Sequence, residues 1–176
     1  NTGDGSIVMG DTYVRLRLSS TRYLEPTGAA ADGEVEDYRV TLVEAPVVEF
    51  SAATYSDEES AGTSTMITLT RSGSAESLAA STTVNVSVTG GAATGGADHT
   101  FTSPLAVTFD PGEISKTVPL TIVDDTDAEG NEDVTFEVAG VQNVSLGTQT
   151  TTAFTILDND VALAITADTY DDPRVT

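Results

Sequence analysis

The chain has 176 residues and a net charge of −21, because 28 Asp and Glu residues stand against only 7 Lys and Arg residues. So acidic a chain argues against nucleic acid and anionic membranes as partners, since phosphate contacts require clustered Lys and Arg. The absence of cysteine excludes a disulfide framework, a thiolate zinc site and a cysteine nucleophile, and no apolar run approaches the ~20 residues of a membrane helix.

Two strands are predicted near the N-terminus, YVRLRL at 13–18 and DYRVTL at 37–42. Two strands rarely form a stable structure alone in water. We therefore expect residues 1–45 to be part of a larger β-module.

The middle of the chain alternates apolar and polar residues with a period of two, as in Val84, Val86 and Val88 against Asn85 and Ser87. Clusters of Gly, Asp, Pro and Ser separate the alternating runs. This pattern predicts an all-β domain over residues 46–160, a seven-strand antiparallel immunoglobulin-like β-sandwich. The predicted strands are 46–54, 64–71, 82–89, 104–109, 115–123, 132–139 and 150–157.

The last segment, residues 161–176, contains the run VALAITADTY, which echoes PVVEFSAATY 115 residues earlier. It is predicted to be the first strand of a following, similar module. The alternative is a donor strand that pairs with the incomplete N-terminal module of an identical chain.

Acidic residues concentrate in alternate loops of the predicted sandwich. Because consecutive antiparallel strands reverse direction, the loops after strands one, three and five and the exit from strand seven fall at the same end, here called the acidic tip. Twelve carboxylates lie in these loops: Asp57, Glu58, Glu59, Asp98, Asp124, Asp125, Asp127, Glu129, Glu132, Asp133, Asp158 and Asp160. The loops at the opposite end hold only Glu76, Asp110 and Glu113.

Convergent carboxylates without His or Cys ligands indicate a hard cation. Calcium accepts six to eight oxygen ligands in flexible geometry, which loops supply more easily than the octahedron that magnesium demands. The alternative is a solvated acidic surface that binds no ion.

Several motifs of residues 46–160 resemble the Calx-β domain of sodium–calcium exchangers and of bacterial surface proteins. They are VEFSAATYSDEESAG, TLTRSG, the GGAATGGADHTF loop, VTFDPGEISKTVPLTIVDDTDAEGNED, VTFEV and the closing ILDND. The resemblance implies calcium ligands at Glu59, Asp98, Asp124, Asp125, Glu129, Glu132, Asp158 and Asp160, with Asp127 as an alternative to Glu129. It also implies a contribution from Asn159 through its amide or its backbone carbonyl.

The run GEVEDYRVTL at 33–42, preceded by YVRLRLS, is similar to the end of the GEVED-type β-module of large secreted bacterial proteins. The two resemblances together imply a calcium-binding structural or adhesive module of an extracellular bacterial protein, in which the ion stiffens the tip and the junction to the next module. Its expected partners are neighbouring modules, identical subunits joined head to tail, or a surface or matrix ligand.

Two other functions remain as alternatives, a filament subunit assembled by β-strand addition and a passive acidic spacer without specific calcium. Catalysis is not expected. His99 and Ser103 lie near each other in sequence, but no nucleophile motif surrounds them.

Overall fold

The computed structural model describes residues 9–20, 22, 25, 27–28, 32–59 and 64–162. Within these ranges, β1 (Gly10–Leu18) and β2 (Glu34–Leu42) form a two-stranded antiparallel sheet in which Gly10 lies opposite Leu42 and Leu18 opposite Glu34. We call this pair the N-terminal ribbon. Both predicted N-terminal strands are therefore present, each a few residues longer than the sequence pattern indicated.

The remaining elements form two packed sheets. In chain order they are β3 (Val47–Phe50), β4 (Thr54–Glu58), β5 (Ser64–Ser72), the one-turn helix α1 (Ala75–Leu78), β6 (Thr82–Gly91), β7 (His99–Thr100), β8 (Leu105–Phe109), β9 (Ser115–Ile122), β10 (Glu132–Gln142), β11 (Ser145–Leu146) and β12 (Thr151–Leu157). One sheet has the order β4-β12-β10-β6-β8, and the other has the order β11-β3-β5-β9-β7. The all-β sandwich predicted from the sequence is confirmed.

The strand count differs from the predicted seven, because the described part of the sandwich has ten strands. The predicted first strand, 46–54, is divided between the sheets: β3 pairs with β5, and after Ser51–Ala53 the chain crosses over so that β4 pairs in parallel with β12. The hydroxyl of Tyr55 fastens this crossover, since it donates to the carbonyl of Thr68 at 3.1 Å and accepts the amide of Thr68 at 3.3 Å. Alternation with a period of two continues through such a crossover, so the pattern could not reveal it.

Two edge pairs are parallel, contrary to the purely antiparallel arrangement that was expected. They are β4 with β12 and β11 with β3. The first pair matters for the site, because parallel strands end at the same edge of a sheet. The amide of Glu59, one residue after β4, accordingly donates to the carbonyl of Leu157, the last residue of β12, at 3.0 Å.

Among the described residues, sixteen buried apolar side chains form a core between the two sheets. Four phenylalanines, Phe50, Phe109, Phe136 and Phe154, are its largest members, and each is at most 2% exposed. The predicted alternation is confirmed in β6, where Val84 and Val86 are fully buried. Burial of these side chains at roughly 1.5–3 kcal/mol each is the main source of the sandwich's stability.

A buried arginine closes the end of the sandwich opposite the acidic tip. Arg71, the penultimate residue of β5, is 2% exposed, and its guanidinium donates to the carbonyls of Leu78 (2.6 Å), Ala80 (3.2 Å), Asp110 (3.3 Å) and Phe109 (3.4 Å). It also lies over the ring of Phe109, 5.9 Å from the ring centroid. One side chain thereby joins the turn after α1 to the turn between β8 and β9.

The predicted C-terminal strand lies almost wholly outside the described residues, which end at Ala162. Its first residue, Val161, belongs to no strand and is 88% exposed. Across the described ranges no helix has the length and apolar character needed to cross a membrane.

Candidate metal centre

Four chain segments meet at the acidic tip, as strand alternation predicted. They are the residue after β4, the loop between β6 and β7, the loop between β9 and β10, and the exit from β12. Gly91, the last residue of β6, allows the chain to enter the loop between β6 and β7 close to β10. Its φ of 120° lets the chain turn directly over the backbone of Asp133 and Val134. A β-carbon at Gly91 would clash with the carbonyl of Asp133.

The first of two carboxylate groups at the tip, called the outer cluster here, consists of Glu59, Asp125 and Asp160. One oxygen from each residue lies within 4.8 Å of the others. The three come from different segments, since Glu59 follows β4, Asp125 lies between β9 and β10, and Asp160 follows β12. Only the folded sandwich brings them together.

The second group, called the inner cluster here, consists of Asp98, Glu129 and Glu132, whose ligand oxygens also lie within 4.8 Å of one another. Asp98 is held firmly in place: it is 8% exposed, its carboxylate accepts the amide of Thr94 at 2.5 Å, and its carbonyl accepts the amide of Val123 at 2.9 Å. Glu132 is the first residue of β10, so its backbone is fixed by the sheet.

Two oxygens in these clusters are buried and have no hydrogen-bond partner within the described part of the chain. They are Oε2 of Glu132 in the inner cluster and Oδ2 of Asp160 in the outer cluster. A buried carboxylate oxygen without a donor is costly, because it has lost its hydration without replacement. A cation bound in each cluster would remove that cost.

The electrostatics of the tip disfavour several negative charges at once. Burial, followed by repulsion from Asp125, Asp158 and Asp160, raises the pKa of Glu59 above its ordinary value. The neighbouring carboxylate of Asp98, which would accept a hydrogen bond from protonated Glu132, followed by burial, raises the pKa of Glu132. In both cases the carboxylate accepts a proton more readily than usual, because no positive charge in the described protein offsets its neighbours.

The pKa is raised in the same way at two further members of the clusters, the exposed Glu129 and the half-buried Asp160. Desolvation, followed by the charge of Asp125, raises the pKa of Glu129. Desolvation, followed by the charge of Asp158, raises the pKa of Asp160. Every shift resolved within the two clusters thus has the direction that a bound cation would reverse.

Hydrogen bonds organise the backbone around the clusters. Asp158 accepts the amides of Glu129 and Asp160, each at 2.9 Å, and its own amide donates to Oδ1 of Asn131 at 3.3 Å. The side-chain amide of Asn159 donates to the carbonyl of Glu59. The exit from β12 is therefore tied both to the loop between β9 and β10 and to the end of β4.

The structure gathers six of the eight predicted ligands into the two clusters: Glu59, Asp98, Asp125, Glu129, Glu132 and Asp160. Asp158 and Asp124 belong to neither cluster, and both oxygens of Asp158 are engaged with backbone amides. Glu129, and not its alternative Asp127, lies in a cluster. The roles of all eight residues as calcium ligands stay predictions.

The sequence did not single out Asn131, whose side chain orients Asp158. Its only signal was a polar residue directly before β10. The resemblance implied a contribution from Asn159 through its amide or its backbone carbonyl, which stays a prediction; in the described structure its side-chain amide donates to the carbonyl of Glu59.

The described structure does not join the His and Ser that were considered for catalysis by a hydrogen bond. Ser103 Oγ accepts the amide of Val88 at 3.0 Å, and no hydrogen bond in the described structure joins Ser103 to His99. His99 is 5% exposed, and burial lowers its pKa. It therefore favours the neutral form.

Comparison with known protein families gives a match to the Calx-beta domain over residues 43–160. A comparison with curated protein sequences gives no significant match. Similar folds occur among solved structures.

The crystal structure of the apo form of the Calx CBD1 domain has a TM-score of 0.59 and 21% identity to this chain, covering 66% of this chain and all of that domain. The calcium binding domain CBD12 of CALX1.1 has a TM-score of 0.58 and 21% identity, covering 64% of this chain and 44% of that one. The Calx CBD2 domain has a TM-score of 0.56 and 14% identity, covering 64% and 86%. At these identities the solved structures show the fold that this chain shares.

Proposed function

The chain belongs to the Calx-beta domain family, and we propose that its acidic tip binds calcium through the two carboxylate clusters. Calx-beta domains are calcium-binding modules and do not form a catalytic family. The outer cluster would supply Glu59, Asp125 and Asp160, and the inner cluster would supply Asp98, Glu129 and Glu132.

The observation that carries this proposal is the pair of buried, unpartnered oxygens, one on Glu132 and one on Asp160. A solvated acidic surface would leave such oxygens in contact with water. The oxygen-only ligand set and the loop origin of most ligands favour calcium over magnesium, which requires a rigid octahedron and retains several waters.

The position of the outer cluster supports a mechanical role. Asp160 is followed directly by Val161 with no Gly- or Ser-rich linker, and the side-chain amide of Asn159 donates to the carbonyl of Glu59, the residue after β4. Calcium held by Asp160 and Glu59 would fix the direction in which the chain leaves the sandwich. An ion present at 100 times its Kd stabilises the folded form by ~2.7 kcal/mol, a large share of the roughly 5–15 kcal/mol of a typical domain.

We further propose an extracellular bacterial setting, in which the N-terminal ribbon is the end of a GEVED-type β-module and the partners are neighbouring modules. Supporting this, the ribbon exposes Leu16 (57%) and Leu18 (73%), as expected of strands that other parts of a module would cover.

Head-to-tail assembly of identical chains by β-strand addition is the second candidate, favoured by the same exposed side chains. Sedimentation velocity of the Leu16→Ser chain against the original would show whether the ribbon joins copies.

The calcium proposal is tested by thermal unfolding of the full chain after chelation, with millimolar calcium, and with magnesium at equal ionic strength. We expect a calcium-selective rise in Tm of several degrees, which is smaller in Asp125→Asn and fully retained in Asp133→Asn. Asp133 is the matched control because it is an acid of the same tip in neither cluster. Equal Tm values in all three solutions would contradict the proposal and leave the tip as solvated charge.

A further inference from the structure

The two sheets of the sandwich have four edge strands in the described structure, and three of them are protected against pairing with another strand. β7 and β11 have only two residues each, and β4 ends in Asp57 and Glu58 beside the acidic tip. Short strands and charged side chains are common means by which edge strands avoid pairing with other chains. The fourth edge strand, β8, has five residues, LAVTF, and none of them is charged.

The backbone of β8 has unused hydrogen-bonding groups on its outer side. In an antiparallel pair, successive residues direct their backbone groups alternately toward the partner strand and away from it. The amide of Val88 in β6 points toward β8, since it donates to Oγ of Ser103 at 3.0 Å. Continued along the register of the pair, this alternation directs the amides and carbonyls of Ala106 and Thr108 away from β6. No described residue bonds to these four groups, and both residues are exposed.

The free part of this edge is limited at both ends. Pro104, directly before β8, has no amide hydrogen to donate. The amide of Asp110, directly after β8, is already used, because it donates to the carboxylate of Glu113 at 2.9 Å. Within the described structure, the free donors of the edge are therefore the amides of Ala106 and Thr108.

We propose that β8 is a dimerisation edge, at which a second copy of this chain adds its own β8 in antiparallel orientation about a two-fold axis at Val107. In this register Ala106 of each copy lies opposite Thr108 of the other, and their free amides and carbonyls form four hydrogen bonds between the chains. The interface closes on itself, because the same strand serves both copies. It involves neither the N-terminal ribbon nor calcium, and so it differs from the head-to-tail assembly considered above.

The distribution of charge favours a second copy in this orientation. β8 runs from the acidic tip toward the end closed by Arg71, so antiparallel pairing directs the two acidic tips in opposite directions. Parallel pairing would set the tips side by side, which is unfavourable for chains of net charge −21. The antiparallel register also places Asp110 of each copy opposite Pro104 of the other, so that no two acids face each other across the new strand pair.

The test is sedimentation equilibrium, in chelator and physiological salt, of the full chain, its Thr108→Pro variant and its Thr108→Ala variant. Proline removes the outward amide of residue 108, and with it two of the four bonds between chains, but keeps the bonds to β6. Alanine is the matched control, because it changes the same side chain and keeps the amide. We expect the original chain and Thr108→Ala to dimerise with equal Kd, and the Kd of Thr108→Pro to be raised about tenfold or more.

Three results would overturn the proposal. The first is an original chain that stays monomeric at all concentrations, or an equal Kd in all three proteins. The second is growth beyond the dimer, which a closed two-fold interface does not allow. The third is a dimer that is lost in Leu16→Ser and kept in Thr108→Pro, which would assign the contact to the N-terminal ribbon.

A second measurement covers the case in which Thr108→Pro does not fold. This chain has no cysteine, so chains carrying Ala106→Cys and chains carrying Thr108→Cys can be mixed and mildly oxidised. The antiparallel register sets the two new thiols opposite each other only in a mixed dimer, so disulfides between unlike variants should exceed the half that random pairing gives. A random share, or an excess of disulfides between like variants, would contradict the proposed register.

Discussion

The two ends of the sandwich accommodate buried charged groups in different ways. At one end a single buried guanidinium, that of Arg71, is met by four backbone carbonyls. At the acidic tip, six carboxylates in two clusters face one another, and two of their buried oxygens have no partner in the described protein. At the first end backbone carbonyls meet the guanidinium and leave only Nε of Arg71 without a partner in the described structure, whereas the second end gains stability when protons or a cation neutralise it.

The largest expected effect lies at the end closed by Arg71. Arg71→Ala would leave the carbonyls of Leu78, Ala80, Phe109 and Asp110 without their shared donor, and each unpaired buried group costs roughly 1–3 kcal/mol. We expect the free energy of unfolding to fall by about 3 kcal/mol or more, measured by urea denaturation. Arg39→Ala is the control, because Arg39 pairs with Asp11 on the exposed ribbon. A loss equal to that of the control would show that the four carbonyls find water instead.

A substitution at the tip should have effects of opposite sign with and without calcium. Glu59→Gln removes a buried charge whose pKa is raised by burial and by its acidic neighbours, so the metal-free protein should melt at a higher temperature than the original. The same change removes a ligand of the outer cluster, so the rise in Tm produced by calcium should shrink. Paired melts in chelator and in calcium measure both effects, and a lower Tm in chelator would refute the repulsion described above.

The two ends should also change the free energy of unfolding with pH in different directions, and this effect should be smaller than those of the substitutions. The raised pKa values of Glu59, Glu129, Glu132 and Asp160 mean that the folded protein holds more protons than the unfolded chain between the ordinary carboxyl pKa and the raised folded values. In metal-free protein the free energy of unfolding should therefore fall as the pH rises through this window. With calcium bound, stabilisation should instead grow with pH, because protons compete for the ligands.

The opposite end contributes with the reverse sign. Hydrogen bonds from Lys116 and from the amide of Asp110 lower the pKa of Glu113, so its contribution is present above the ordinary carboxyl pKa and is lost as the pH falls through its folded value. Urea denaturation of metal-free protein across pH 4–7 measures the sum. Stability that rises steadily with pH in metal-free protein would mean that the carboxylates of the tip do not repel one another.

How much of this could be predicted from the sequence differs between the core and the site. The alternating valines of β6 identified a core face, because a strand sends successive side chains to opposite sides. The same rule placed Glu59, Asp98, Asp125 and Asp160 at one end, since it fixes the direction of each strand. The division of residues 46–54 between two sheets escaped it, because a strand that changes sheets keeps its alternation.

The roles of individual acids were beyond the reach of the pattern. Asp158 and Asp160 look equivalent in the motif Asp-Asn-Asp, yet one accepts two backbone amides and the other points a buried oxygen into a cluster. Arg71 likewise looked like an ordinary residue of TLTRSG. Its role depends on carbonyls from turns 7 to 39 residues away.

The sequence by itself determined the all-β class, the core faces and the end at which the acids gather, because these follow from local alternation and from charge. Only the tertiary structure decided which carboxylates share a cluster, which of them hold the backbone, and how the opposite end is closed. Those outcomes depend on distances of a few ångströms between segments remote in the chain, which the order of residues does not specify until the sheets have packed.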